Sequence, residues 1–288
     1  ASSRSEAAVS VTGKGDTTIE LDGDNELKSG AGHAGLEHNK TDTSGELTIQ
    51  DKDNNGSLEA AGGFKGAGIG SAGSNDAQVK ITGGNITATT SDDWGAGIGS
   101  GSYGTGTVEI TGGEINATGG YLGAGIGGGC NGSGNVTISG GTITAAGSDG
   151  AAGIGGGYYN GATVTITGDA VIKNASSTKY GAGIGGGNGS DGNVTISGNA
   201  KIENATGGYG AAGIGGGAFS SPDKIGNGNV VIKDNAKIDN VQGGAYGAGI
   251  GGGIYGLSNV TIEGNTKVNA TGGAGGAAIG GGAGAENN

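Results

Sequence analysis

The sequence predicts an all-β chain wound as a parallel β-helix, and three observations predict it. A glycine-rich phrase returns eight times, from Gly66-Ala67-Gly68-Ile69-Gly70 to Gly276-Ala277-Ala278-Ile279-Gly280. Between its copies, β-branched residues alternate with polar ones, as in Val136-Thr137-Ile138-Ser139. The isoleucines of the phrase fall at Ile69, Ile98, Ile126, Ile154, Ile184, Ile214, Ile250 and Ile279, in steps of 29, 28, 28, 30, 30, 36 and 29 residues. That is the length of one solenoid coil built from three short strands and three corners.

Each part of the coil follows from its residues. In Asn135 to Ala145, Val136 and Ile138 point inward from a first strand, Gly140-Gly141 turns the chain, and Ile143 and Ala145 begin a second strand. The glycine phrase, Gly123-Ala124-Gly125-Ile126-Gly127, makes a third, with Ala124 and Ile126 inward and the glycines outward. The first-strand register recurs at Val79-Lys80-Ile81, Val108-Glu109-Ile110, Val164-Thr165-Ile166, Val194-Thr195-Ile196, Val230-Val231-Ile232 and Val260-Thr261-Ile262. A degraded version precedes it: Ile19-Glu20-Leu21 and Leu47-Thr48-Ile49 match the first strand, and Ala34-Gly35-Leu36 matches Ala67-Gly68-Ile69. These make about nine coils, a rod roughly 43 Å long at ~4.8 Å per stacked strand.

The expected organisation is a single solenoid over residues 1–288, with divergent N-terminal coils or a cap over 1–62 and regular repeats over 63–288. An insertion at 218–229, carrying Pro222, absorbs the long step. Asn135, Asn193, Asn229 and Asn259 each precede a first strand, so an asparagine ladder is expected along one corner.

Composition narrows the function classes. Glycine supplies 77 of 288 residues, but without a three-residue period and with a single proline, which excludes collagen. The net charge of −12 and the lone arginine, Arg4, argue against a nucleic-acid partner. The chain has no apolar run of about 18 residues, so membrane insertion is not expected. Cys130 is the one cysteine and has no disulfide partner within the chain. The start at Ala1-Ser2-Ser3 fits a chain numbered after removal of a signal peptide. Only six residues follow Ile279-Gly280-Gly281-Gly282, so no C-terminal cap is expected; either the sequence continues in a longer protein or the open end meets another subunit.

The GAGIGGG phrase, the companion VTISGG, and the lead-in Ala31-Gly32-His33-Ala34-Gly35-Leu36-Glu37-His38-Asn39-Lys40 resemble the glycine-rich repeat regions of secreted and cell-surface proteins of Gram-positive, often gut-dwelling, bacteria. The likeness covers nearly the whole chain. It implies a right-handed parallel β-helix in an extracellular setting, sometimes alongside carbohydrate-binding modules. It carries no catalytic residues to transfer.

Eight tyrosines, two phenylalanines and one tryptophan all lie four or five residues from a repeat isoleucine. Phe64, Trp94, Tyr121, Tyr180, Tyr209 and Tyr246 precede it; Tyr103, Tyr158, Tyr159, Phe219 and Tyr255 follow it. Stacking should therefore give a flat glycine face bordered on both edges by aromatic columns. Such a surface suits binding or assembly, with copies of the same chain or glycans as partners. Alternatively, the rings cover corners of a solenoid with little core.

Other constellations are weaker. Asp51-Lys52-Asp53-Asn54-Asn55-Gly56 has the first half of a calcium-loop pattern, with Asp51, Asp53 and Asn55 at alternate positions, but Gly62 stands where a bidentate glutamate is needed. A turn is the competing reading, and no cofactor is expected. His33 and His38 lack the neighbours of a metal site. Asp92, Asp93, Asp149, Asp191 and Asp223 are scattered over loops, where a hydrolase needs two opposed carboxylates. Thr137, Thr165, Thr195 and Thr261 suggest the threonine arrays of ice-binding solenoids, but Lys80, Glu109 and Val231 interrupt the column. Twelve Asn-x-Ser/Thr sequons, including Asn85, Asn116, Asn204 and Asn269, are what a sequence this rich in Asn, Ser and Thr contains by chance. The expected protein is non-catalytic, extracellular and structural, assembling through coil ends or the glycine and aromatic face into a fibre or surface layer. The alternative is a carbohydrate-binding adhesin module, and a polysaccharide-cleaving enzyme is a minor one.

Overall fold

A computed structural model describes residues 6–91, 94–219 and 224–285. Arg4, Asp92, Asp93, Pro222, Asp223 and residues 286–288 lie outside the described residues. Among those described, every regular element is a strand, and the strands form three sheets. The chain is a right-handed parallel β-helix of about nine coils.

The first sheet stacks the valine–isoleucine strands, among them Gly106–Ile110, Gly134–Ile138, Ala162–Ile166 and Gly192–Ile196. Its register places Val79 on Val108, Val108 on Val136 and Val136 on Val164, with the isoleucines two residues on in a parallel column. The second sheet stacks Asn85–Thr90, Glu114–Thr118, Thr142–Gly147 and Val171–Ser177, so that Ile86, Ile115, Ile143 and Ile172 form another column. The third sheet consists of two-residue Ile-Gly steps, in register from Leu36-Glu37 to Ile279-Gly280, with Val9–Ser10 added before them. One short strand departs from the parallel pattern: Asn39–Lys40 runs antiparallel to Asp76–Ile81.

The core is a set of columns one side chain deep. Ile69, Ile81 and Ile86 from the three sheets are each fully buried, as are their equivalents Ile126, Ile138 and Ile143. Apolar period-2 positions face each other across the coil, and their burial supplies the driving force for stacking.

Three expectations need correction. In the divergent N-terminal coil, Ile19 pairs with Ile49 and Thr17 with Leu47, two residues away from the expected alignment. A period-2 pattern is unchanged by a shift of two, so sequence alternation cannot distinguish these registers. Leu21 is consequently displaced to the corner, where it is 4% exposed. The asparagine ladder is also interrupted. Asn193, Asn229 and Asn259 are in register and Asn229 Nδ2 donates to Asn193 Oδ1 at 2.9 Å, but Thr163 stands between Asn135 and Asn193. Two further asparagine contacts arise elsewhere, Asn235 to Asn199 at 3.3 Å and Asn240 to Asn204 at 3.0 Å.

The third correction concerns the glycine face. Residues 123–130 are all buried, as are 151–157 and 210–218. The phrase bows inward: Ala124 N–H donates to Gly128 O at 2.9 Å, so the two ends of the segment meet with Ile126 at the tip. Gly155 shows why glycine is needed there. It has φ of +138°, and a Cβ at that position would stand 2.0 Å from Gly185 O of the next coil. Outward space is occupied by neighbouring backbone, so the glycines are packing residues and do not form an open surface.

Candidate functional site

Tight turns flank the glycine phrase in most described coils, and most of the aromatic residues sit in them. Before the phrase, Gly123 N–H donates to Gly120 O at 2.9 Å around Tyr121-Leu122. After it, Asn160 N–H donates to Gly157 O at 3.1 Å around Tyr158-Tyr159. Leu122 and Tyr159 take the third turn position with φ of 65° and 61°, a left-handed conformation that a type II turn requires.

The two turn columns bond to each other across the phrase. Tyr158 N–H donates to Leu122 O at 3.1 Å, Asn188 N–H to Gly150 O at 2.6 Å, Ala218 N–H to Tyr180 O at 2.7 Å and Ile254 N–H to Gly210 O at 2.6 Å. The aromatic columns expected on opposite edges of a wide face therefore adjoin in one band. This closure was not readable from spacing, because residues before and after the isoleucine are brought together only when the phrase folds back on itself.

Within the band the rings form local groups. Phe64 and Trp94 lie 5.7 Å apart, with Lys65 Nζ 5.1 Å and 5.2 Å from the two ring centroids. Tyr158 and Tyr159 are 3.9 Å apart, Phe219 meets Tyr159 edge-on at 5.6 Å, and Lys224 Nζ sits 4.0 Å from the Tyr159 ring centroid. Tyr180, Tyr209 and Tyr246 continue as edge contacts of 6.2 and 5.7 Å. Tyr103 is more than half exposed, and Tyr121, Tyr209, Tyr246, Tyr255 and Phe64 are also exposed.

Two clefts open in the band. One, of about 210 Å³, lies between Tyr121, Tyr158 and Tyr180, with Asp149, Lys179 and Asn188. The other, of about 200 Å³, is bounded by Tyr180, Tyr209, Ala218, Phe219, Ile254 and Tyr255 and is more apolar. Tyr180 borders both. Lys179 Nζ pairs with Asp149 Oδ1 at 2.7 Å, which holds the ammonium above the ordinary lysine range. Burial raises the Tyr158 hydroxyl, and its bond with Tyr159 raises it further. Cys130 is 3% exposed, and burial pushes its thiol up to about 11.

The other candidates are engaged in the scaffold. Asp51 Oδ1 accepts the Asn55 N–H at 3.2 Å and Oδ2 the Gly56 N–H at 3.1 Å, so this carboxylate organises a turn. Asn55 Nδ2 donates to Asp22 Oδ1. Among the described residues, no group of three or more His, Cys, Asp and Glu side chains is placed to hold a metal. His33 Nδ1 lies 2.8 Å from Glu37 Oε2, and buried His38 faces Val11 O and Gly45 O at 3.2 and 2.9 Å, tying the divergent coil together. Asp191 Oδ1 accepts the Asn227 N–H at 2.8 Å. Lys80 pairs with Glu109 at 3.2 Å on the outward face, where a continuous threonine array would have to run. No helix among the described residues is long and apolar enough to cross a membrane.

Comparison with protein families finds a match to a model described as a beta helix repeat, over residues 79–102, 108–130, 136–158, 194–218 and 260–283. Comparison with curated proteins and with solved structures finds no match. Each matched segment starts at the inward valine of the first sheet, passes through the second strand and the glycine phrase, and ends at or near the second turn. Sequence match, strand register and sheet topology describe the same unit, and the chain carries a β-helix repeat region.

Proposed function

We propose that this chain is a non-catalytic extracellular binding module whose aromatic band takes carbohydrate. The observation that carries this reading is the pair of clefts sharing Tyr180, set in a band of exposed tyrosines on a rigid stacked scaffold. Aromatic faces pack against the C–H faces of sugar rings, while phenolic hydroxyls and the Asp149–Lys179 pair offer polar partners at the rim. Consecutive coils repeat this chemistry along the rod, which matches the repeating structure of a polysaccharide.

The test is binding of the folded chain to an array of plant, mucin and cell-wall glycans, followed by titration of the strongest ligand. Tyr180→Ala is expected to weaken that ligand at least tenfold, because it removes a wall from both clefts. Silence across the array would refute the reading.

A further inference from the structure

Three tyrosines stand one above another in successive coils. Tyr180 and Tyr209 meet edge-on with ring centroids 6.2 Å apart, and Tyr209 and Tyr246 do so at 5.7 Å. The turns that carry the closer pair are tied through their backbones: Gly210 N–H donates to Ala245 O at 2.7 Å, and Gly244 N–H to Ala211 O at 2.9 Å. Tyr209 is 53% exposed and Tyr246 40%, so both phenols are open to a reagent in solution while their rings stay in contact. Among the five exposed tyrosines, 103, 121, 209, 246 and 255, these two alone touch each other.

The chain offers an oxidant few competing groups. It contains no methionine. Its one thiol, Cys130, is buried, and burial pushes it up to about 11, so little of the reactive thiolate exists near neutral pH. Eight tyrosines stand against a single tryptophan, Trp94, whose ring contacts Phe64 and no phenol. One-electron oxidation of the folded chain therefore falls chiefly on phenols, and a radical formed on Tyr209 or Tyr246 has the other ring within reach.

We propose that Tyr209 and Tyr246 are a modification site, joined as an intrachain dityrosine when the chain meets hydrogen peroxide and a haem peroxidase. The peroxidase takes one electron from each phenol, and each hydroxyl proton leaves to water. The unpaired electron of each phenoxyl spreads onto the ring carbons beside the oxygen, and one such Cε from each ring joins in a new C–C bond. Each of those carbons then loses its hydrogen as a proton while its oxygen takes one up, which restores both phenols. The pair has lost two hydrogens, and one peroxide molecule has been reduced to two waters. The new bond straddles the step of 36 residues from Ile214 to Ile250, the longest between successive phrases. A cross-link removes most freedom from the unfolded chain where the closed loop is longest, so this bond staples the coil that needs it most. The inference is independent of the carbohydrate reading, and neither depends on the other's test.

The test treats the full chain, in dilute solution, with hydrogen peroxide and a haem peroxidase, and reads dityrosine fluorescence, intact mass and peptide maps of the monomeric product. The expected product is a monomer lighter by two hydrogens, with the peptides of Tyr209 and Tyr246 linked and the melting temperature raised by several degrees. Tyr246→Phe is expected to cut the yield of monomeric dityrosine at least tenfold and to abolish the rise in melting temperature, while the untreated variant melts as wild type does. Tyr103→Phe, which removes an exposed phenol with no ring beside it, is expected to change neither readout. Cross-links confined to pairs of copies, an intrachain link mapped to other tyrosines, or an undiminished yield in Tyr246→Phe would each overturn the site. A Tyr209–Tyr246 link that leaves the melting temperature unchanged would overturn its role as a staple.

Discussion

Gly155→Ala is expected to destabilise the solenoid by about 3–5 kcal/mol, measured as the free energy of unfolding in denaturant. Two effects add at this position. The backbone has φ of +138°, which L residues adopt only under strain, and the new methyl would stand 2.0 Å from Gly185 O and 3.0 Å from Ala162 Cβ. Neither neighbour can retreat, because each belongs to a strand held in register on both sides. Gly13→Ala separates the two effects. Its φ is +120°, yet a Cβ there meets nothing within 4 Å. Only the conformational penalty applies, so a loss of about 1 kcal/mol is expected. Equal losses at the two sites would show that backbone conformation alone requires glycine in the phrase, and would refute interlocked packing.

Ile184→Ala is expected to cost about 3–4 kcal/mol, while Ile279→Ala, the same change in the same column, should cost under about 1 kcal/mol. Ile184 is fully buried between Ile154 and Ile214, whereas Ile279 is 43% exposed beyond Ile250. A cavity in mid-column has coils on both sides that cannot collapse into it without breaking their own register. Each coil contacts mainly its neighbours, so the internal cavity also weakens the coupling between the two halves of the stack. Denaturant unfolding monitored by circular dichroism should therefore lose cooperativity in Ile184→Ala, with a smaller slope than wild type, and keep it in Ile279→Ala. Equal costs at both positions would mean that the column is not the unit of stability.

The scaffold was legible in the chain because its rules are local. Period-2 alternation in Val136-Thr137-Ile138, the double glycine at Gly140-Gly141 and the return of Ile126 as Ile154 are each visible within one coil, and stacking then repeats what one coil specifies. The register of the first coil was not legible, since a shift of two residues leaves Ile19 and Leu21 equally apolar and equally spaced. The aromatic band lay between these extremes. All eleven ring positions could be marked by their distance from an isoleucine, but two columns flanking an open glycine face differ from one band over a closed one only through hydrogen bonds between residues far apart in sequence, such as Tyr158 to Leu122.

Residue spacing alone thus determined the winding of this protein, its coil length and its inward columns, because strand periodicity and glycine turns act over a few residues. The tertiary structure decided where the glycines face and how the tyrosines meet. Those features depend on which backbone atoms of the next coil occupy the space beside each residue, and that is settled only when the coils stack.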